Sequence, residues 1–150
     1  MNVVDTDALT LLLRKRKDPV GAAIESHMLA FIDHDFRITS VSAAEMAGGA
    51  VLKLQKDTQK RRDLISAFGL MQELIEYLTG WQHLILPYST VADRIYSDFE
   101  PRLRQQLGYD ARIAAVALAQ GAAVWARNTK DFLRFPGLIV YRAETGERVA

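Results

Sequence analysis

The chain has 150 residues, of which 49% are hydrophobic and 25% charged, with a formal net charge of +1 and no cysteine. That length can bury a sizeable core within one domain, residues 1–150, and the missing cysteine excludes disulfides, thiolate nucleophiles and Cys-ligated zinc. No basic stretch leads into an apolar segment at the start and no apolar run reaches the roughly 18 residues of a membrane span, so a cytoplasmic protein is expected, and its near-neutral charge leaves any nucleic-acid binding to local patches.

Residues 2–4 read as a short buried strand. Leu9, Leu12 and Leu13 then recur at helical spacing and run into Arg14, Lys15, Arg16 and Lys17, cations suited to a helix C-terminus. Asp18-Pro19 opens a second helix, with Asp as cap and Pro in the first turn, and Ile24, Met28, Phe31 and Ile32 supply its apolar face. A strand at 36–40 ("FRITS") precedes a helix at 42–54 and a longer one over 58–80. Leu64, Phe68, Met71, Leu74, Ile75 and Leu78 lie at helical spacing on the latter and are expected in the core. Residues 84–86 form a strand up to Pro87. Ser89 caps a helix through 99, Pro101 kinks or breaks it, and Gly108 ends that segment. An alanine-rich helix at 110–120 closes at Gly121, and 122–126 and 138–141 are buried strands. The tail beyond Arg142 is expected to fray. Strands alternating with helices argue an α/β fold, with a central parallel sheet of about five strands flanked by helices on both faces.

In an open parallel sheet, sites form beyond the carboxyl ends of the strands. Asp5 follows the first strand, Glu45 lies in the first turn of the helix after "FRITS", Asp110 opens the alanine-rich helix, and Asn128 and Asp131 follow "AAVWA". Carboxylates gathered at one edge repel each other and need a cation; hard oxygen ligands of this kind suit Mg2+ or Mn2+. Each acid also has a simpler role open to it. Asp5 and Asp7 can cap the first helix, Ser42-x-x-Glu45 can be a capping box, Asp110 can cap its helix, and Asp131 can be a solvated turn residue. His27, His34 and His83 lack ligand spacing. Trp125 reads as core, and Trp81 as a residue at a helix end open to an interface.

The stretches "VVDTDALTLLL", "ITSVSAAEMAGGA" and "GYDARIAAVALAQGAAVWARNTKDF", in that order, resemble the PIN domain family, and within it the VapC-type toxin ribonucleases, over residues 2–141. The resemblance implies a PIN-like domain and a metal-dependent endoribonuclease that hydrolyses RNA phosphodiesters as the toxin of a type II toxin–antitoxin pair. It implies Mg2+ or Mn2+ at Asp5, Glu45, Asp110 and Asp131, with Thr6 and Asn128 as polar supports. It also implies a homodimer and a small antitoxin as partners. Two positions depart from the family's pattern: Asp7 stands where Asn or Ser is usual, and Ala126 where Thr is usual. RNA contacts are expected from Arg112 beside Asp110, from Arg14 and Lys15 in the run 14–17, and from the series Lys53, Lys56, Lys60, Arg61 and Arg62, unless these are simply solvated helix faces. Two alternatives stay open. One is a PIN-like RNA- or protein-binding module with an impaired site, which Ala126 favours. The other is a HAD-type phosphohydrolase with Asp5 as nucleophile and Asp7 as acid; that pattern wants Thr or Val where Leu9 stands.

Overall fold

β1 (Asn2–Val4), β2 (Phe36–Thr39), β3 (Ile85–Leu86), β4 (Ala123–Ala126), β5 (Val140–Arg142) and β6 (Glu147–Arg148) form a six-stranded sheet in the order β3-β2-β1-β4-β5-β6. The computed structural model describes residues 1–60 and 63–150. The first five strands run parallel, and β6 returns antiparallel along β5. Adjacent side chains of a strand point to opposite faces, so Val3 and Val4, both fully buried, enter different cores.

Val4 belongs to the core under α1 (Thr6–Leu13) and α2 (Pro19–Ala30), with Leu9, Leu12, Ile24, Phe36, Ile38 and Trp125. Val3 belongs to the core under α5 (Thr90–Asp98), α6 (Pro101–Gln120) and α7 (Thr129–Phe132), with Ile113, Val116, Val124, Phe132 and Val140. α3 (Ser40–Gln59) leaves the end of β2 and straddles the two, giving Val41 to the second core and Met46 to the rim of the first. Trp125 is fully buried at the centre, its ring 4.9 Å from Phe31, 5.0 Å from Phe36 and 5.4 Å from Tyr141. Its indole N–H donates to Asn2 Oδ1 at 3.3 Å, which ties β4 to β1. The reading of Trp125 as core therefore holds.

Several boundaries differ from expectation, each for a local reason. α3 starts at Ser40 because Thr39, not Ser42, is its cap: Thr39 Oγ1 accepts from Ser42 N–H at 2.9 Å. The single helix expected over 58–80 is replaced by α3 ending at Gln59 and α4 (Leu64–Gly80) starting afresh, its first amides capped by Asp63. Gly108 ends the first helical segment as expected: its φ of 44° and ψ of −107° lie outside helical geometry and are open to glycine, so α6 is two helical segments meeting at a kink. Asp110 thus lies in the first turn of the second, alanine-rich segment of α6. The tail after Arg142 is not frayed. It turns at Gly146 (φ 68°) and pairs as β6, with Val149 N–H donating to Val140 O at 2.8 Å and Ala143 fully buried.

The core assignment for α4 also needs correction. Leu74 is buried, but Phe68 is 57% and Ile75 58% exposed, and Leu64 is exposed too. α4 packs chiefly on α3 rather than on the sheet, so only a narrow stripe through Ala67 and Leu74 is covered. Ile32 falls beyond the end of α2 and is exposed. Among the described residues no helix is long and apolar enough to cross a membrane.

α1 and α2 approach so closely that a Cβ on Gly21 would stand 2.1 Å from the Leu11 carbonyl oxygen and 3.1 Å from Lys15 Cα. Both atoms are backbone and cannot swing away. Gly21→Ala is expected to destabilise the fold by about 3 kcal/mol, the cost of forced overpacking. The check is the urea midpoint of unfolding; an unchanged midpoint would mean the two helices separate freely.

Candidate active site

The chain lays down β1, β2 and β3 outward in one direction, then returns to add β4 on the other side of β1. Where the winding reverses, the connections leaving β1 and β4 diverge and open a crevice beyond their carboxyl ends. Asp5 N–H donates to Trp125 O at 3.0 Å, so the two strands stay joined up to the crevice, and the residues that follow enter it.

Asp5 caps α1, its Oδ1 accepting from Ala8 N–H at 2.8 Å. Capping is real but does not account for burial: the residue is only 3% exposed. Burial pushes its carboxyl up to about 8, against the Ala8 N–H, and the charges of Asp7 and Asp110 push the same way. Asp110 is pushed up to about 6, first by burial and then by the charges of Glu45, Asp131 and Asp7. These acids from separate segments therefore share one electrostatic field, with Asp110 at its centre.

The capping box at Ser42 and Glu45 does not form, because Thr39 has the cap position. Glu45 is left with its Oε2 buried and without a hydrogen-bond partner. Thr6 Oγ1 is likewise buried and unpartnered. Asp131, on α7, accepts from Asn128 Nδ2 at 2.6 Å. Asp7 is exposed at the rim of the same cluster. The sequence offers Asp7 as a cap, as a departure from the family's pattern or as the acid of a D-x-D phosphohydrolase; its charge on Asp5 and Asp110 adds it to the acidic field.

Sharing a field is not convergence. Among the described residues no group of three acidic or histidine side chains stands close enough to ligate one ion. The donors nonetheless fit a hard divalent cation in kind. They are carboxylate, hydroxyl and amide oxygens, two of them buried with nothing to bond, beside acids whose pKa values are raised first by burial and then by neighbouring carboxylates. The three histidines are all exposed.

The cations expected to meet RNA separate into distinct settings. Lys15 pairs with Glu25 on α2. Arg14, Arg16 and Lys17 line a groove of about 740 Å3 that Thr6, Asp7 and Glu45 also line. Lys53 lines the same groove while pairing with Asp57 at 2.9 Å. Arg61 and Arg62 lie outside the described residues. Arg112 packs over the Tyr96 ring, 4.5 Å from its centroid, rather than pairing with Asp110.

No protein-family model matches the sequence, and no curated protein does. Solved structures match over nearly the whole chain. FitAB bound to the IR36 DNA fragment aligns over 100% of both chains with 20% identity and a TM-score of 0.73. FitAcB from Neisseria gonorrhoeae aligns over 95% of this chain and 98% of that one, with 20% identity and a TM-score of 0.70. VapBC2 from Rickettsia felis, bound to a DNA fragment from its promoter, aligns over 93% and 96%, with 20% identity and a TM-score of 0.61. The fold is that of a PIN domain. At this identity the likeness concerns the fold, and the antiparallel β6 at the sheet edge sits within it. In this PIN fold, the buried Asp5 stands at the mouth of the crevice between β1 and β4.

The raised pKa values fix a direction for stability. The folded, metal-free chain keeps protons on Asp5 and Asp110 that the unfolded chain releases near pH 4, so the unfolded state binds fewer protons and stability falls as pH rises. Asp110 contributes this loss between about pH 4 and 6, and Asp5 between about pH 4 and 8. In chelator, the melting temperature is expected to drop across that range. Asp5→Asn, which keeps a capping oxygen, should raise stability at pH 8 by a few kcal/mol, on the order set by the shift. Thermal melts of both proteins in EDTA check this; identical pH profiles would refute it.

Proposed function

We propose that this chain is a divalent-metal-dependent endoribonuclease, hydrolysing RNA phosphodiesters as the toxin of a type II toxin–antitoxin pair in the cytoplasm. The observation that carries the reading is the buried Asp5 carboxyl in the electrostatic field of Asp110, itself raised by Glu45 and Asp131, with Glu45 Oε2 and Thr6 Oγ1 left unpartnered. Asp5 and Asp110 would hold Mg2+ or Mn2+, with Glu45 and Asp131 completing the donor set and Thr6 and Asn128 supporting it. The chemistry such an ion supplies is acidification of a bound water and neutralisation of charge on the phosphate. Glu45, with a free buried oxygen, is suited to orient the attacking water and accept its proton. The Asn128 amide fixes the Asp131 carboxylate that faces Asp110 electrostatically. The Asp5 amide, bonded to β4, anchors the first acid to the central strands of the sheet.

A protein partner is supported by apolar side chains left in solvent on α3 and α4: Val51, Leu52, Ile65, Phe68 and Ile75. An exposed apolar area of this kind is characteristic of interaction surfaces. FitAB and VapBC2 were solved bound to DNA fragments; for this chain a small antitoxin and a second copy are the proposed partners.

A second reading is a binding module that keeps the fold without the chemistry. It is favoured by the absence, among the described residues, of three acids in ligating range and by the buried Ala126. Calorimetric titration with Mg2+ and Mn2+ separates the two readings, since the nuclease requires binding that Asp110→Asn weakens. In magnesium, Asp5→Asn and Asp110→Asn are expected to reduce RNA cleavage to the level of wild type in EDTA, with circular dichroism unchanged. Wild-type cleavage by both variants would overturn the assignment.

A further inference from the structure

We propose that Arg104 and Arg112, gathered on the Tyr96 ring between α5 and α6, form an anion site on the α5 side of α6 that takes a backbone phosphate of single-stranded RNA. The choice of RNA as ligand rests on the nuclease reading; the anion site rests on the geometry alone. The Arg112 guanidinium lies 4.5 Å and that of Arg104 5.7 Å from the Tyr96 centroid. Arg112 Nη1 donates to Gly108 O at 3.4 Å, at the kink of α6. Arg104 Nε is buried and has no acceptor. Among the described residues neither guanidinium pairs with a carboxylate, although Lys15, Arg37, Lys53, Arg127 and Arg142 each do.

An aromatic face orients a guanidinium but does not neutralise it, and a buried donor without an acceptor is costly. Two such cations held by one ring therefore lack an acceptor of negative charge, and a phosphate oxygen supplies it in the planar geometry that arginine prefers. The placement suits the neighbouring chemistry. Residues two apart on a helix point to different sides, so α6 turns Asp110 toward the acids and Arg112 toward α5. Acids alone would repel a phosphodiester strand; cations on the opposite side of α6 give it a second point of hold away from them. Tyr96 is then a positioning residue for Arg112.

The probe is a fluorescein-labelled single-stranded RNA oligonucleotide, bound in EDTA and followed by anisotropy over a series of salt concentrations. Arg104→Gln and Arg112→Gln, which keep most of the side-chain stem, are each expected to flatten the slope of log K against log[salt], and the double variant to flatten it by about 0.7, the share of one phosphate. Tyr96→Leu should lower the affinity, and Tyr96→Phe should restore it. A purely structural role would lower the melting temperature without changing the slope. On the unmutated chain, pyrophosphate should protect Arg104 and Arg112 from modification by phenylglyoxal, read by peptide mass, which keeps the test valid if a variant fails to fold. Wild-type slope and affinity in the folded double variant, or no protection by pyrophosphate, overturns the site. Protection and a changed slope in a protein that cleaves no RNA with Mg2+ or Mn2+ would leave the anion site standing and remove the nuclease reading.

Discussion

The carboxylate of Asp5 is buried at the end of the central strand, and much of the molecule is arranged around that placement. Its amide is bonded to β4, its oxygen caps α1, and burial suppresses its ionisation. Removing a carboxylate from water is unfavourable unless it is protonated, hydrogen-bonded or paired with a cation. One N–H at the start of α1 answers part of that demand. The nearby charges of Asp7 and Asp110 aggravate the rest. A fold needing only a helix cap could have used an exposed Ser or Asp at no such cost.

Sheet topology determines which segments meet there. Because the chain reverses its winding between β1 and β4, residues far apart in sequence leave the sheet side by side. Trp125, packed among Phe31, Phe36 and Tyr141 and bonded to Asn2, holds the central strands in register below the crevice. The rigid core and the polar crevice are thus two ends of the same strands. By contrast, α3 and α4 project a largely uncovered apolar surface, in keeping with a region that packs on itself rather than on the sheet.

The two charge clusters follow one logic with opposite signs. Like charges held together by the fold are incomplete without a counter-ion, whether carboxylates at the crevice or guanidinium groups on Tyr96. The chain's near-neutral total hides both, because each is local. Composition could only indicate that nucleic-acid binding, if present, would be regional.

The sequence by itself determined the alternation of strands and helices, the parallel sheet, and the candidate acids Asp5, Glu45, Asp110 and Asp131, because local periodicity and the position of polar residues at strand ends survive in one dimension. Cap residues, the kink at Gly108 and the pairing of β6 were legible only in part, since each depends on which of several nearby donors and acceptors wins. Tertiary structure decided that Glu45 is freed from a capping role, that Asp7 joins the acidic field, that most of α4 faces solvent, and that Arg112 stacks on Tyr96. Those outcomes turn on burial and on long-range neighbours, which a linear pattern of residues does not carry.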